Sequence, residues 1–383
     1  MNKISNFGIF TLLFVSSLTI MVGTVIAPSL SGIVKTINFG FSPSWLITVP
    51  ALGVVLFAPL IGRLLNKLGS IKLLCFGLVS YGILGLLGAF ISNDYLLILD
   101  RFLLGAATVT IQVSVTTYIV EIFTNETRLK MIAWQGMAIE MGGVIFLAMG
   151  GILGQMHWQY PFYIYLSAII CVFLVFNTLP KSQAKKQEQK VLSTSNPKNH
   201  SRIRIIFCAS LLAMMLFFVG IVTLPLYLPD CFTFNESETG YLLAFISLTA
   251  ILTASQMPKM IRFLGDGKTL SLGFAFYMLA YLVLSSTASI PFLLLSALFL
   301  GIGFGLSIPL LNHMMIEASN SENQGKNLGL YSMGIFGGQF LSTFVQSISG
   351  NYIAVYSFSA VLAFVVGGVI FYNFQNSLKV QLE

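Results

Sequence analysis

Gly62-Arg-Leu-Leu-Asn-Lys-Leu-Gly69, with Lys72 close behind, is a short basic interruption between two apolar runs, Trp45–Ile61 and Ile71–Ile91. In the second half of the chain Lys259 to Gly265, followed by Lys268, breaks a pair of apolar runs in the same way. Outward from these two loops twelve apolar stretches can be marked: Phe7–Ala27, Trp45–Ile61, Ile71–Ile91, Tyr95–Ile119, Met131–Leu153, Phe162–Leu179, Ile205–Leu228, Thr239–Met257, Leu270–Thr287, Pro291–Met314, Leu328–Ile348 and Ile353–Phe371. A helix crossing about 30 Å of hydrocarbon needs roughly 20 predominantly apolar residues. Runs of this length cannot be barrel strands, so they predict an all-α membrane protein of twelve transmembrane helices. Composition agrees, because 56% apolar residues, 9% charged residues and a mean hydropathy of +0.88 leave too little polar surface for a soluble globule. The first run follows Lys3, as a secretory signal would, but it is about twice the usual length and is read as a retained span.

The charge pattern orients these spans. With the amino terminus in the cytoplasm, eighteen of the twenty Lys and Arg residues fall on the cytoplasmic side, in or at the edges of the segments 62–70, 124–130, 180–204, 258–268 and 319–327 and the two termini. Only Lys35 and Arg101 lie elsewhere, and the opposite loops hold Asp94, Asp230, Glu236 and Glu238. This positive-inside bias requires an even number of spans with both termini cytoplasmic. It also accounts for the net charge of +7 without a nucleic-acid partner, since no single basic stripe exists. Cys75, Cys171, Cys208 and Cys231 suggest neither a disulfide nor a metal site.

The polar stretch Lys181–Arg204 divides the chain into an amino-terminal six-helix bundle (1–180), a cytoplasmic linker (181–204) and a carboxy-terminal six-helix bundle (205–383). The halves repeat. Gly23-Thr-Val-Ile-Ala-Pro28 matches Gly220-Ile-Val-Thr-Leu-Pro225, the two basic loops match, and Gly105 and Gly301 each stand sixteen residues before an acid, Glu121 and Glu317. Six spans per half put both halves on the same side, as parallel repeats about an axis along the membrane normal. Such architectures bind substrate near the midplane and expose it alternately to the two faces.

These features resemble the major facilitator superfamily, and within it the twelve-span drug:proton antiporter group of exporters. Gly62 to Gly69 with Lys72 resembles the family's G-x-L-a-D-R-x-G-R-R/K loop signature, and Arg101-Phe-Leu-Leu-Gly105 its R-x-x-x-G signature. Gly150-Gly-Ile-Leu-Gly154 and Trp158-Gln-Tyr-Pro-Phe162 resemble the end of the exporter signature and the W-R-x-x-F sequence after it. The resemblance implies a major facilitator fold of two pseudo-symmetric bundles and a latch at the cytoplasmic gate, placed on Gly62, Arg63, Asn66, Lys67 and Gly69. Asn66 stands where the family has an acid, so the latching charge pair is reduced to a hydrogen bond. Phe146-Leu147 replaces the usual Gly-Pro, Gln159 replaces the Arg, and the first span lacks the acid common in drug antiporters.

Charge inside hydrocarbon asks for a reason, because it costs about 2.5 to 3.5 kcal/mol at a helix centre. Glu140 lies nine residues into the fifth span, roughly 14 Å deep at 1.5 Å per residue, with Gly136 and Gly143 leaving room beside it. Isolated there it is neutral, and it ionises when water or a cation reaches it, as proton coupling requires; the alternative is a structural acid, permanently protonated or paired with Arg. Arg101, six residues into the fourth span, heads a polar stripe with Thr108, Gln112 and Thr116 that is expected to face the interior. The family resemblance implies that Arg101 acts in proton transfer, and its position above Glu140 suits it to bias the protonation of that acid and to order the outer half of the cavity. Asp100 points about 100° away around the helix and is either a third proton-coupling residue or an interfacial acid at the outer mouth. Gln135, Gln256, Asn312, Gln339, Thr343 and Gln346 supply further polar groups to a substrate cavity, or hydrogen bonds between helices. Glu121 and Glu317, beside Arg128 and Lys326, read as gate-side salt bridges, and His313 as the local partner of Glu317.

The sequence therefore predicts a multi-pass transporter of the plasma or inner membrane that exports small amphipathic organic compounds, drugs or a metabolite, in exchange for protons. It is expected as a monomer in the lipid bilayer with no cofactor and no metal. A proton-coupled importer is the alternative. A membrane enzyme lacks support, since H-E-x-x-H, G-x-S-x-G and phosphate-loop motifs are missing, and a sensor would need a soluble domain that no loop can house.

Overall fold

A computed structural model describes residues 4–180, 197–286, 289–320, 323–348 and 351–379. Most of the linker, with Lys181, Lys185, Lys186 and Lys190, lies outside the described residues, as does Lys3. All the regular structure among the described residues is helical. The helices are α1 (Asn6–Thr24), α2 (Leu30–Ile37), α3 (Trp45–Leu68), α4 (Ser70–Leu87), α5 (Asp94–Ile122), α6 (Asn125–Met156), α7 (Tyr160–Tyr163), α8 (Ser167–Thr178), α9 (Pro197–Phe232), α10 (Glu236–Ser286), α11 (Ile290–Glu317), α12 (Gln324–Ser347) and α13 (Tyr352–Lys379).

Among the described residues eleven helices are long and apolar enough to cross a membrane, where the sequence predicts twelve. The difference lies in α10. Its 51 residues contain two of the predicted stretches, and its backbone leaves helical geometry at Gly265, with φ 75° and ψ 167°. Gly69, between α3 and α4, has nearly the same geometry, φ 79° and ψ 164°. Only glycine adopts this region without a steric penalty, so the last residue of each repeated basic segment is the one that can make the turn. Two other predicted spans are broken. The first ends at Thr24 and continues as a single turn at Ala27–Ser29 and then α2, with Pro28 at the break. The sixth is assembled from α7, one tight turn at Ile164–Leu166, and α8.

The chain forms two compact units, Met1–Glu188 with Asn235–Ala244, and Gln189–Phe234 with Phe245–Glu383. Within the first, helices meet backbone to backbone at glycines. Gly105 of α5 lies against the Pro50 carbonyl of α3, Gly77 of α4 against Thr110 and Ile111 of α5, and Gly142 of α6 against Ser17 of α1. Small residues at helix crossings give van der Waals contact in place of the hydrophobic drive that lipid removes. Buried tyrosines tie the helices further. Tyr81 donates to the Leu18 carbonyl at 2.6 Å, and Tyr165 to that of Val22 at 2.9 Å. The first turns of α10 also belong to this unit, where Gly240 meets the Leu147 carbonyl and Gly151, and the Ser237 hydroxyl bonds to Gln155.

The second unit repeats these contacts 196 residues later. Gly301 lies against the Ile246 carbonyl as Gly105 lies against that of Pro50, Gly273 against Leu306 and Ser307 as Gly77 against Thr110 and Ile111, and Gly338 against α9 as Gly142 against α1. The tyrosine contacts do not keep this register: Tyr277, at the position of Tyr81, bonds to Ser307 at 3.2 Å, and it is Tyr281, one turn on, that donates to the Leu216 carbonyl and joins α10 to α9. The repeat that the sequence suggests in scattered motifs is thus a repeat of helix crossings.

Candidate functional site

In the first unit the polar groups of α5 and α6 are nearest to forming a site. Gln135, buried on α6, donates through Nε2 to Thr116 Oγ1 of α5 at 3.0 Å. Half-buried Gln112 and Glu140 have no hydrogen bond or ion pair among the described residues. Around Glu140, Gly136 borders open space and Gly143 approaches only the tip of Ile20, at 3.3 Å from where a Cβ would sit. A half-buried carboxylate with no fixed cation beside it can bind and release a proton, or meet a cationic ligand, without breaking a bond within the protein.

Arg101 departs from its predicted place. The polar stripe is expected to face the interior, yet Arg101 is fully buried and its guanidinium is held by Asp100, whose Oδ2 accepts from Nε at 3.0 Å and from Nη2 at 2.7 Å. Nη2 also donates to the Leu84 carbonyl at 3.1 Å and that of Gly85 at 3.4 Å. The charge lies 5.5 Å from the Phe162 ring centre and 5.8 Å from that of Tyr165. Asp100 is therefore buried beside Arg101 rather than placed apart at an outer mouth. Backbone direction fixes only where Cβ points, and the long arginine side chain folds back to its neighbour. Thr108 is buried too and donates to the Leu104 carbonyl of its own helix at 2.8 Å. The predicted stripe thus splits, with Arg101 and Thr108 sealed and Gln112 and Thr116 accessible to partners. No ion pair joins Arg101 to Glu140 among the described residues.

In the second unit, Gln339 is buried on α12, one residue from the close crossing of Gly338 with α9. Thr343 is fully buried, and Asn312 and Gln346 are half-buried. Gln256 is exposed and accepts from Lys259 Nζ at 2.8 Å. Thr249 and Thr253, on the same helix, lie against Gly301 and Gly305 and serve packing.

The proposed gate residues are rearranged. Arg63, Asn66 and Lys67 are exposed on the last turns of α3, near half-buried Gly62 and the Gly69 turn. Glu121 does not pair with Arg128. It accepts from Ser70 Oγ at 2.6 Å, while Arg128 donates to the Phe123 and Val120 carbonyls at 2.9 and 3.0 Å, covering the end of α5. The free carbonyls of a helix end attract a nearby guanidinium, and Ser70 is held beside Glu121 by the turn. Glu317 pairs with His313 Nε2 at 3.2 Å and Arg202 Nη2 at 3.8 Å, not with exposed Lys326. Ser70 and Arg202 escape sequence reading because neither stands out in type. The position of Ser70 directly after the turn glycine is the one available signal. Among the described residues no three His, Cys, Asp or Glu side chains converge to hold a metal ion.

Comparison with known proteins bears on what these units form. The family profile described as Major Facilitator Superfamily matches residues 12–343. Multidrug resistance protein 1 of Bacillus subtilis (strain 168) is 20% identical over 322 residues, covering 82% of each chain. Tetracycline resistance protein, class B, of Escherichia coli is 26% identical over 74% of this chain and 73% of its own. Among solved structures, the nucleoside transporter NupG superposes with a TM-score of 0.75 at 14% identity, covering 98% of this chain and 100% of its own. The peptide transporter POT in complex with sulfate gives a TM-score of 0.79 at 14% identity, covering 96% and 94%. At these identities the structural likeness speaks for the fold alone.

Proposed function

The chain belongs to the Major Facilitator Superfamily, and on that premise we propose that this multi-pass membrane transporter exports small amphipathic organic compounds in exchange for protons. The observation that carries this reading is Glu140, a half-buried carboxylate within a membrane-spanning helix that has no hydrogen-bond or ion-pair partner among the described residues. A charge at such depth is tolerated where it works. Protonated, Glu140 lets the transporter return without substrate. Ionised, it favours a cationic or polarised solute, so proton and substrate exclude one another. Relatives named for multidrug and tetracycline resistance support efflux.

We read the break at Gly265 as the turn between two spans, which gives twelve, and the basic loops as cytoplasmic, which puts both termini there. Residues 1–180 and 205–383 are then the two six-span bundles. Gln112, Thr116, Gln135, Asn312, Gln339, Thr343 and Gln346 remain proposed cavity residues. The Gly62–Gly69 turn, Glu121 and Glu317 remain proposed gate residues, with Ser70, His313 and Arg202 as the partners of the two acids. Import is the second reading, supported by Phe146-Leu147, through which α6 runs as continuous helix where exporters break it with Gly-Pro.

The test is transport of a fluorescent organic cation, and separately of tetracycline, by purified protein in liposomes under an imposed pH gradient. Glu140→Gln should abolish gradient-driven movement and leave gradient-independent exchange of the same probe intact. Undiminished gradient-driven transport by the variant would overturn the assignment of Glu140. Accumulation in inverted but not right-side-out vesicles is the expected sign of export.

A further inference from the structure

The end of α4 poses an accounting problem that Arg101 solves. The last four carbonyls of a helix have no partner within it, and hydrocarbon offers them no water. At the end of α4, Leu86 accepts from the Ala89 amide at 3.0 Å, and Leu87 from those of Phe90 and Ile91 at 2.9 and 3.2 Å. The remaining two, Leu84 and Gly85, are served by Arg101 Nη2, reaching across from α5. Gly88 leaves space for this, since a Cβ there would collide with Nη2. One step further, Gln159 Nε2 donates to the Ala89 carbonyl at 2.8 Å. The positive charge that the cap brings is balanced by Asp100 and screened by the Phe162 and Tyr165 rings.

The second unit places an uncharged contact at the corresponding positions. At the 196-residue offset, Asp100 corresponds to Ser296, Arg101 to Ala297 and Leu84 to Ala280. Ser296 Oγ donates to the Ala280 carbonyl at 3.1 Å, buried. Helix α10 runs on to Ser286, so this carbonyl lies within the helix, and the hydroxyl ties α11 to α10 without capping an end. From the closure of α4, and from the uncharged contact that suffices at the corresponding place in the second unit, we infer that Asp100 and Arg101 are a charge-balanced cap on the outer end of α4, and that Arg101 is a positioning residue rather than a member of the proton path.

The test uses the full-length protein. In Arg101→Gln, hydrogen–deuterium exchange of the amides of residues 88–91 in detergent should quicken roughly tenfold, the worth of about one hydrogen bond, with α12 amides unchanged. Should that variant not yield folded protein, Arg101→Lys, which keeps the charge but loses the fork, serves for the same comparison. Asp100→Asn and Arg101→Gln should each lower the melting temperature more than the double variant does, because each alone strands one buried charge. The double variant should keep gradient-driven transport. This last arm alone rests on the proton-coupled reading. If the unmodified protein shows no gradient-driven transport, that reading falls, and exchange and melting decide the cap. Unchanged exchange at residues 88–91 would overturn the cap. So would a double variant that melts like the parent and exchanges substrate but no longer responds to the pH gradient.

Discussion

Replacing Gly105 by alanine puts a methyl group where α3 and α5 cross. The new carbon would lie 2.8 Å from the Pro50 carbonyl carbon and 3.0 Å from its Cα, and nearer still to its oxygen, where ordinary contact begins at 3.4 Å. All three atoms are backbone, so no rotamer change relieves the overlap and the helices must part by about 1 Å, at a typical overpacking cost of about 1–3 kcal/mol. Gly136 is the control, because nothing lies within 4 Å of a Cβ built there. Alanine at that position should stabilise by about 0.5–1 kcal/mol through backbone entropy. The two substitutions should therefore differ by about 1.5–4 kcal/mol, a separation of several degrees in thermal unfolding followed by tryptophan fluorescence in detergent. Gly301→Ala, whose Cβ would meet the Ile246 carbonyl oxygen at 2.6 Å and Thr249 Cβ at 2.7 Å, should behave like Gly105→Ala. If Gly105→Ala melts with or above Gly136→Ala, the reasoning from backbone contact is wrong.

Two further outcomes are expected. Gly69→Ala and Gly265→Ala, at φ 79° and 75°, should each cost about 1–3 kcal/mol in the same unfolding assay, whereas exposed Asn66→Ala should not shift the transition. In a double-mutant cycle of Thr116→Val and Gln135→Leu, the coupling energy should be about 0.6 kcal/mol, the average for hydrogen bonds between membrane helices, and a value near zero would remove that bond from the account.

The helical class and the repeat are legible in the residues because both rest on periodic, additive signals: runs of apolar side chains, basic loops, and glycines at matching distances. Gly69 and Gly265 illustrate this, since each closes a basic segment and each has the backbone angle that glycine permits. Side-chain partnerships are not legible in the same way. Glu121 has a basic residue seven positions on, yet bonds Ser70, fifty-one positions back, because α4 and α5 bring their ends together. Arg101 shares a helical stripe with Thr108, but its reach exceeds one helical turn, and the nearest unsatisfied carbonyls decide where it goes. Glu140 stands between the two cases: few charges occur in the spans, so it can be picked out from sequence, but that Arg101 turns to Asp100 and away from it is legible only in the structure.

The start of α10 has a consequence in time. Asn235–Ala244 is grouped with the first unit, and Gly240 lies against Leu147 and Gly151 of α6. The ribosome adds Gly240 84 residues after Met156, the last of α6, a delay of roughly 4–17 s at about 5–20 residues per second. For that interval the Leu147–Gly151 surface is in the membrane before its partner has been made. Bulky side chains at Gly151 or Gly240 would therefore act as the chain is being made, reducing the yield of inserted protein before they have any effect on the finished one.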